Sequence, residues 1–130
     1  MTDKAKILVI DDEPGVLTLM GRALSQAGCD VVLADTGEKG MEVAHENRFD
    51  LAVLDVNLPD TTGFDIASDL KQRHISLQTQ IVFITGEPRE EDRQRSKKLG
   101  AADYIAKPFD MQNFAKRILS HAKSPKIHTQ

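Results

Sequence analysis

Residues 50–63 read Asp-Leu-Ala-Val-Leu-Asp-Val-Asn-Leu-Pro-Asp-Thr-Thr-Gly. Leu51 to Leu54 make an apolar run of strand length, Asp55 closes it, and the residues that follow are those of a turn. Three other runs end in the same way. Lys6-Ile7-Leu8-Val9-Ile10 leads into Asp11 and Asp12, Ile81-Val82-Phe83-Ile84 into Thr85, and Tyr104-Ile105-Ala106 into Lys107. Runs that are apolar throughout suit strands buried on both faces, as in a parallel sheet. Such a sheet builds its site in the crevice beyond its strand C-termini. The four strand ends therefore deliver three carboxylates, a hydroxyl and an ammonium to one place.

Between these runs the periodicity becomes helical, and the alternation predicts an α/β fold. A helix is expected over 14–27, with Val16, Leu17, Met20, Ala23, Leu24 and Ala27 on one stripe and Gly28 at its C′ position. Strands are expected at 6–11, 31–34, 50–55, 80–85 and 103–106. Thr36 should cap a second helix, with Glu38 in its first turn, and Thr62 with Asp65 resembles a capping box ahead of Ile66, Ala67 and Leu70. Asp110 should cap the last helix, whose Met111, Phe114, Ala115, Ile118, Leu119 and Ala122 form an amphipathic stripe. The segment 88–98 departs from this pattern, since Pro88 is its only apolar residue. It predicts a weakly packed, mobile helix that Leu99 alone anchors and Gly100 ends. A single domain is expected over 4–123, with 124–130 a frayed end or the start of a linker.

The 130 residues carry a net charge of −3, which gives no electrostatic reason to expect nucleic acid. Arg93, Arg95, Lys97 and Lys98 follow Glu90, Glu91 and Asp92, the pattern of a solvated helix face. The lone Cys29 excludes an internal disulfide and reads as a buried structural thiol. His45, His74, His121 and His128 are scattered singly and read as surface residues. No stretch reaches membrane-spanning length, and Met-Thr-Asp-Lys does not open a signal peptide, so the expected compartment is the cytoplasm.

Crowded carboxylates repel one another, so Asp11, Asp12 and Asp55 need cationic compensation from a divalent metal and the Lys107 ammonium. Mg2+ takes oxygen ligands, keeps several waters and accepts one or two carboxylates together with phosphate oxygens. Asp12 and Asp55 suit it, with a backbone carbonyl just past Asp55 as a further ligand. Transfer of a phosphoryl group to a carboxylate requires stabilisation of charge on the phosphoryl oxygens. Metal, Lys107 and the Thr85 hydroxyl can meet one oxygen each. A lone aspartate at a strand end is otherwise a cap or turn former, which is the reading for Asp60, Asp103 and Asp110.

Four motifs now carry a family resemblance: Val-Ile-Asp-Asp-Glu at 9–13, Leu-Asp-Val-Asn-Leu-Pro-Asp-Thr-Thr-Gly at 54–63, Ile-Thr-Gly at 84–86 and Ala-Asp-Tyr-Ile-Ala-Lys-Pro-Phe at 102–109. In this order and at these intervals the chain resembles the receiver domain of two-component response regulators, from residue 6 to about residue 122. The resemblance implies a flavodoxin-like, doubly wound fold, a five-stranded parallel sheet in order 2-1-3-4-5 flanked by five helices. It implies that Asp55 accepts a phosphoryl group from a sensor histidine kinase or phosphotransfer protein. The implied cofactor is Mg2+, with Mn2+ as a substitute, held by Asp12, Asp55 and the Asn57 backbone carbonyl, and by Asp11 through water. Thr85 would be the switch hydroxyl, Tyr104 the rotating aromatic and Lys107 the phosphoryl-binding ammonium, followed by a cis bond to Pro108. Asn57 and Glu87 would border the attacking water's path and tune dephosphorylation; their small polar or acidic groups imply an acyl phosphate lasting seconds to minutes. The surface of the fourth helix, fifth strand and last helix would signal to a partner or a linked output domain. No separate substrate, nucleic acid or membrane is implied.

Two departures from the family pattern stand out. Thr62 replaces the acid often found before the turn glycine, and the 89–98 stretch lacks the usual inward alanine or leucine, a space that Ser96 is expected to fill in part. Three rival readings fit less well. A flavin-binding electron carrier needs a hydroxyl- and glycine-rich loop where Asp11, Asp12 and Glu13 stand. A metal-dependent aspartyl-phosphate phosphohydrolase places its two acids as Asp-x-Asp on one strand, where this chain has Asp55-Val56-Asn57. A receiver that only docks, without phosphorylation, would have lost the acids, the threonine or the lysine, and all are present.

Overall fold

The computed structural model describes residues 4–72 and 79–123. The expected tail at 124–130, and His74 and His128, lie outside the described residues. Ten elements alternate along the chain: β1 (Lys6–Ile10), α1 (Pro14–Gln26), β2 (Asp30–Ala34), α2 (Gly37–Glu46), β3 (Leu51–Asp55), α3 (Gly63–Gln72), β4 (Gln80–Thr85), α4 (Glu90–Lys98), β5 (Asp103–Ala106) and α5 (Met111–Lys123). The strands form one parallel sheet in the expected order, β2-β1-β3-β4-β5. Ile10 is paired with Leu54 and Asp55 with Ile84, so the C-termini of β1, β3 and β4 end level with one another.

Alternate side chains of each strand enter opposite cores. Ile7, Val9, Val53, Val82 and Ile84 pack with Leu17, Met20 and Leu24 of α1 and with Phe114 and Ile118 of α5. Leu8, Ile10, Ala52, Leu54 and Phe83 pack against Ala44 of α2 and Phe64, Ile66 and Leu70 of α3. Both faces being covered explains why these strands read as continuous apolar runs. Thr36 caps α2 through the N–H of Lys39, and Asp110 caps α5 through that of Asn113. Gly28 and Gly100 take the positive φ values, 95° and 76°, expected just past α1 and α4. Ala27, placed on the inner stripe of α1 by its spacing, lies one residue beyond the helix and is exposed.

The fourth helix needs a correction. Ser96 is its buried residue and Leu99 packs beneath its end, as the sequence suggests. Arg93 and Arg95, however, do more than face solvent. The Arg93 guanidinium lies 4.9 Å from the centre of the Tyr104 ring, and that of Arg95 lies 4.6 Å from Phe64. Their cationic heads over aromatic faces replace the missing apolar contacts. Asp103 is likewise no turn former. It accepts bonds from Arg117 at 3.1 and 2.6 Å and stands 2.8 Å from Nε2 of His121, clamping β5 to α5. His121 is therefore partly buried and paired, not a solitary surface residue.

Candidate functional site

Asp55 stands at the end of β3, 4% exposed. Its Oδ1 accepts the N–H of Asn57 at 3.1 Å, and its Oδ2 accepts from Lys107 Nζ at 3.2 Å. The following loop folds tightly back: Leu58 N–H bonds Thr61 O, Gly63 N–H bonds Val56 O, and Asn57 pairs with Thr62. Gly63 closes it because a Cβ there would lie 2.6 Å from the Asp55 carbonyl oxygen, closer than any side chain permits.

Asp11, past the end of β1, is fully buried, and its Oδ1 accepts the N–H of Glu13 at 2.8 Å. Its Oδ2 lies 2.9 Å from Lys107 Nζ yet has no aligned hydrogen bond. Lys107 also binds the Glu13 carboxylate. Its backbone N–H bonds Thr85 O at 2.7 Å, and its peptide bond to Pro108 is cis. Oxygens of Asp11, Asp12 and Asp55 lie within 4.8 Å of one another. Three carboxylates, those of Asp11, Glu13 and Asp55, thus meet one ammonium, with Asp12 beside Asp11 and Asp55. Glu13 had no assigned part in the sequence reading, though it continues the acidic run after Asp12.

An open cleft of about 710 Å³ leads to this cluster. Asp12, Glu13, Asp55, Asn57, Glu87 and Lys107 line its polar side, and Val16, Leu19, Pro108, Phe109 and Met111 its apolar side. Thr85 and Tyr104 are absent from this lining. Thr85 is fully buried and its Oγ1 accepts the N–H of Glu87 at 3.0 Å; Tyr104 is 8% exposed, its ring beneath Arg93. Tyr104, the rotating aromatic of the family resemblance, thus has its ring already buried.

Burial, then the neighbouring charge of Asp11, pushes the Asp55 carboxyl up to about 6, with Lys107 opposing. At neutral pH it is still mostly ionised. For Lys107, burial works against the charge, but the Glu13 bond, the adjacent Asp11 carboxylate and the charge of Asp55 outweigh it and hold the ammonium above its ordinary value. The unaligned Oδ2 of Asp11 and the excess of carboxylates fit a further cation. A donor set made only of oxygens suits Mg2+ or Mn2+ over softer metals.

Fold and crevice together define a doubly wound α/β domain with an acidic centre at its strand ends. The family model described as the response regulator receiver domain matches residues 7–119. The chain is 37% identical over 113 residues to the alkaline phosphatase synthesis transcriptional regulatory protein PhoP of Bacillus subtilis, covering 87% of this chain and 46% of that protein. It is 34% identical to the transcriptional regulatory protein CpxR of Escherichia coli, covering 87% and 47%. The chain thus spans about half the length of these curated relatives. Among solved structures, the receiver domain of HemR from Leptospira biflexa superposes with a TM-score of 0.88 at 32% identity, covering 97% of this chain and all of that one. The chemotaxis response regulator CheY4 of Vibrio cholerae gives 0.85 at 29%, covering 92% and 99%. The chain belongs to the response regulator receiver domain family of two-component signalling. No helix among the described residues is long and apolar enough to cross a membrane.

Proposed function

We propose that Asp55 is the phosphoacceptor, taking its phosphoryl group from the phosphohistidine of a sensor kinase or phosphotransfer protein in the cytoplasm. The observation that carries this reading is the contact of the Lys107 ammonium with a buried carboxylate at the head of an open cleft. An Asp55 oxygen attacks phosphorus, the P–O bond forms, and the P–N bond of the donor breaks with its electron pair leaving on the imidazole. Asp55 suits this task because its raised pKa makes it a stronger base than a surface carboxylate while leaving it ionised at pH 7. Lys107 meets one phosphoryl oxygen, and the Thr85 hydroxyl another after exchanging its bond with Glu87 N–H for the phosphoryl group.

Asp12, Asp55 and the Asn57 carbonyl would hold Mg2+, or Mn2+ in its place, with Asp11 acting through water. The bound cation would supply neutralising charge to the carboxylates and the incoming oxygens. Asn57 and Glu87, both exposed at the cleft, border the approach of the hydrolytic water and set a lifetime of seconds to minutes. The domain assists its own phosphorylation and dephosphorylation, turns over no separate substrate, and passes its state to a partner protein or linked output domain through α4, β5 and α5.

Incubation with a small phosphoramidate or acyl phosphate and Mg2+ tests this. Mass spectrometry should show one added phosphoryl group, lost in Asp55→Asn and in excess chelator. Full labelling of Asp55→Asn would refute the assignment.

A further inference from the structure

The loop after Asp55 is tethered at its far end to α2. Oδ1 of Asp60 accepts the N–H of Gly37 and Oδ2 that of Glu38, each at 2.9 Å. The next donor, Lys39 N–H, goes to Thr36 Oγ1 at 3.1 Å. The first N–H groups of a helix have no partner within it. Here two of them are met by a carboxylate from a different loop, 23 and 22 residues further along the chain. Thr61 presses on the same spot, where a Cβ at Gly37 would lie 2.3 Å from its Cγ2. Asp60 is exposed, so these bonds and not burial fix its place. Hydrogen bonds then run back from the tether: Leu58 N–H to Thr61 O, the Asn57–Thr62 pair, and Asn57 N–H to Asp55 Oδ1. Asn57 is suspended between Asp55 and the Asp60 clamp.

We propose that Asp60 is a positioning residue for the phosphoacceptor loop, its carboxylate clamping the loop to α2 so that the Asn57 backbone is held ready for the divalent cation. This rests on the Mg2+-dependent reading of the site given above. A partner that orients a metal ligand acts by removing the cost of ordering that ligand, and its loss weakens metal binding by about ten- to a hundredfold. Asp60 acts on one backbone ligand among several, so the lower end applies.

Mg2+ titration of the intact chain, followed by calorimetry or backbone amide shifts well below the melting temperature, tests the clamp. Thr36→Ala is the control, because it removes the other side-chain cap of α2 without touching the loop. Asp60→Ala should bind Mg2+ about tenfold more weakly than wild type, Asp60→Asn with one acceptor retained should fall between, and Thr36→Ala should bind as wild type although it also lowers the melting temperature. Undiminished Mg2+ affinity in Asp60→Ala, or an equal loss in Thr36→Ala, overturns the proposal. A wild-type chain that binds no Mg2+ instead overturns the phosphoacceptor reading, and the two failures are distinguished by that measurement.

Discussion

Nζ of Lys107 lies 3.2 Å from Oδ2 of Asp55 while also reaching Asp11 at 2.9 Å and Glu13. The ammonium therefore already touches the carboxylate on which a phosphoryl group would sit, and it is shared with the groups that would repel the incoming charge. When phosphate arrives, Lys107 need only exchange one oxygen partner for another.

Lys107→Ala should slow phosphoryl uptake from a small donor by about a hundredfold, the usual cost of removing one preplaced donor from a developing oxyanion. Time courses of phosphoryl incorporation at saturating Mg2+ measure this. Kinetics equal to wild type would eliminate the contact as a catalytic one.

The raised pKa of Asp55 gives a stability prediction whose sign is opposite to that of most carboxylates. Its folded form holds a proton up to about pH 6, whereas the unfolded chain releases it near 3.8. Between these values the folded state binds more protons, so this residue's contribution falls as pH rises and stays low above 6. Asp55→Asn should therefore be more stable than wild type at pH 7.5 without metal, by about 1–3 kcal/mol. The gain should shrink below pH 4, and Mg2+ should narrow it by stabilising only the wild type. Urea unfolding of both proteins against pH, with and without Mg2+, decides it; a less stable Asp55→Asn contradicts the sign.

Asp103 behaves in the opposite way. Burial favours its neutral form, but the Arg117 and His121 bonds prevail and hold its carboxyl below the usual range. Its stabilisation is present above the unfolded value of 3.8 and is lost as pH falls through the lower folded value. Asp103→Asn should cost about 1–2 kcal/mol at pH 7 and progressively less as pH falls below 3.8. A constant penalty across that range would show that packing, not charge, is responsible.

These pairs mark the limit of what could be read from the chain. The strands, the grouping of Asp11, Asp12, Asp55 and Lys107, and the caps Thr36 and Asp110 were legible because each rests on a local pattern, an apolar run ending in a polar residue or a cap ahead of a helix; the sheet order came from the family resemblance. Lys107 and Glu13 are 94 residues apart, and Asp103 and His121 are 18 apart. Such contacts depend on how strands and helices are brought side by side, which no local spacing encodes. Asp60 was legible as a cap, but not as the cap of a helix that precedes it. The arginines of α4 misled for a related reason, since a charged head stacked on a ring looks in sequence like a charged head in water.

That stacking determines how α4 should move. A helix of nine residues is marginal by itself, and Ser96 and Leu99 bury little area. The Arg93 and Arg95 side chains remain about half exposed, 45% and 55%, so each cation–π contact contributes about 0.5–1 kcal/mol. Residues 86–99 should therefore exchange amide hydrogens faster than β1, β3 and β4. The Arg93→Ala/Arg95→Ala double variant should raise exchange within α4 by about fivefold or more, leaving the central strands unchanged. Since Arg93 covers Tyr104 and Arg95 covers Phe64, which follows Gly63 at the end of the Asp55 loop, the two arginines connect α4 to both sides of the site. Phosphorylation that draws Thr85 toward Asp55 should tighten the packing around Tyr104 and slow exchange over 86–99. Hydrogen exchange of the wild-type and double-variant chains, with and without phosphorylation, measures all three effects. Protection of α4 equal to that of the central strands in every form would show that the helix is a fixed part of the core.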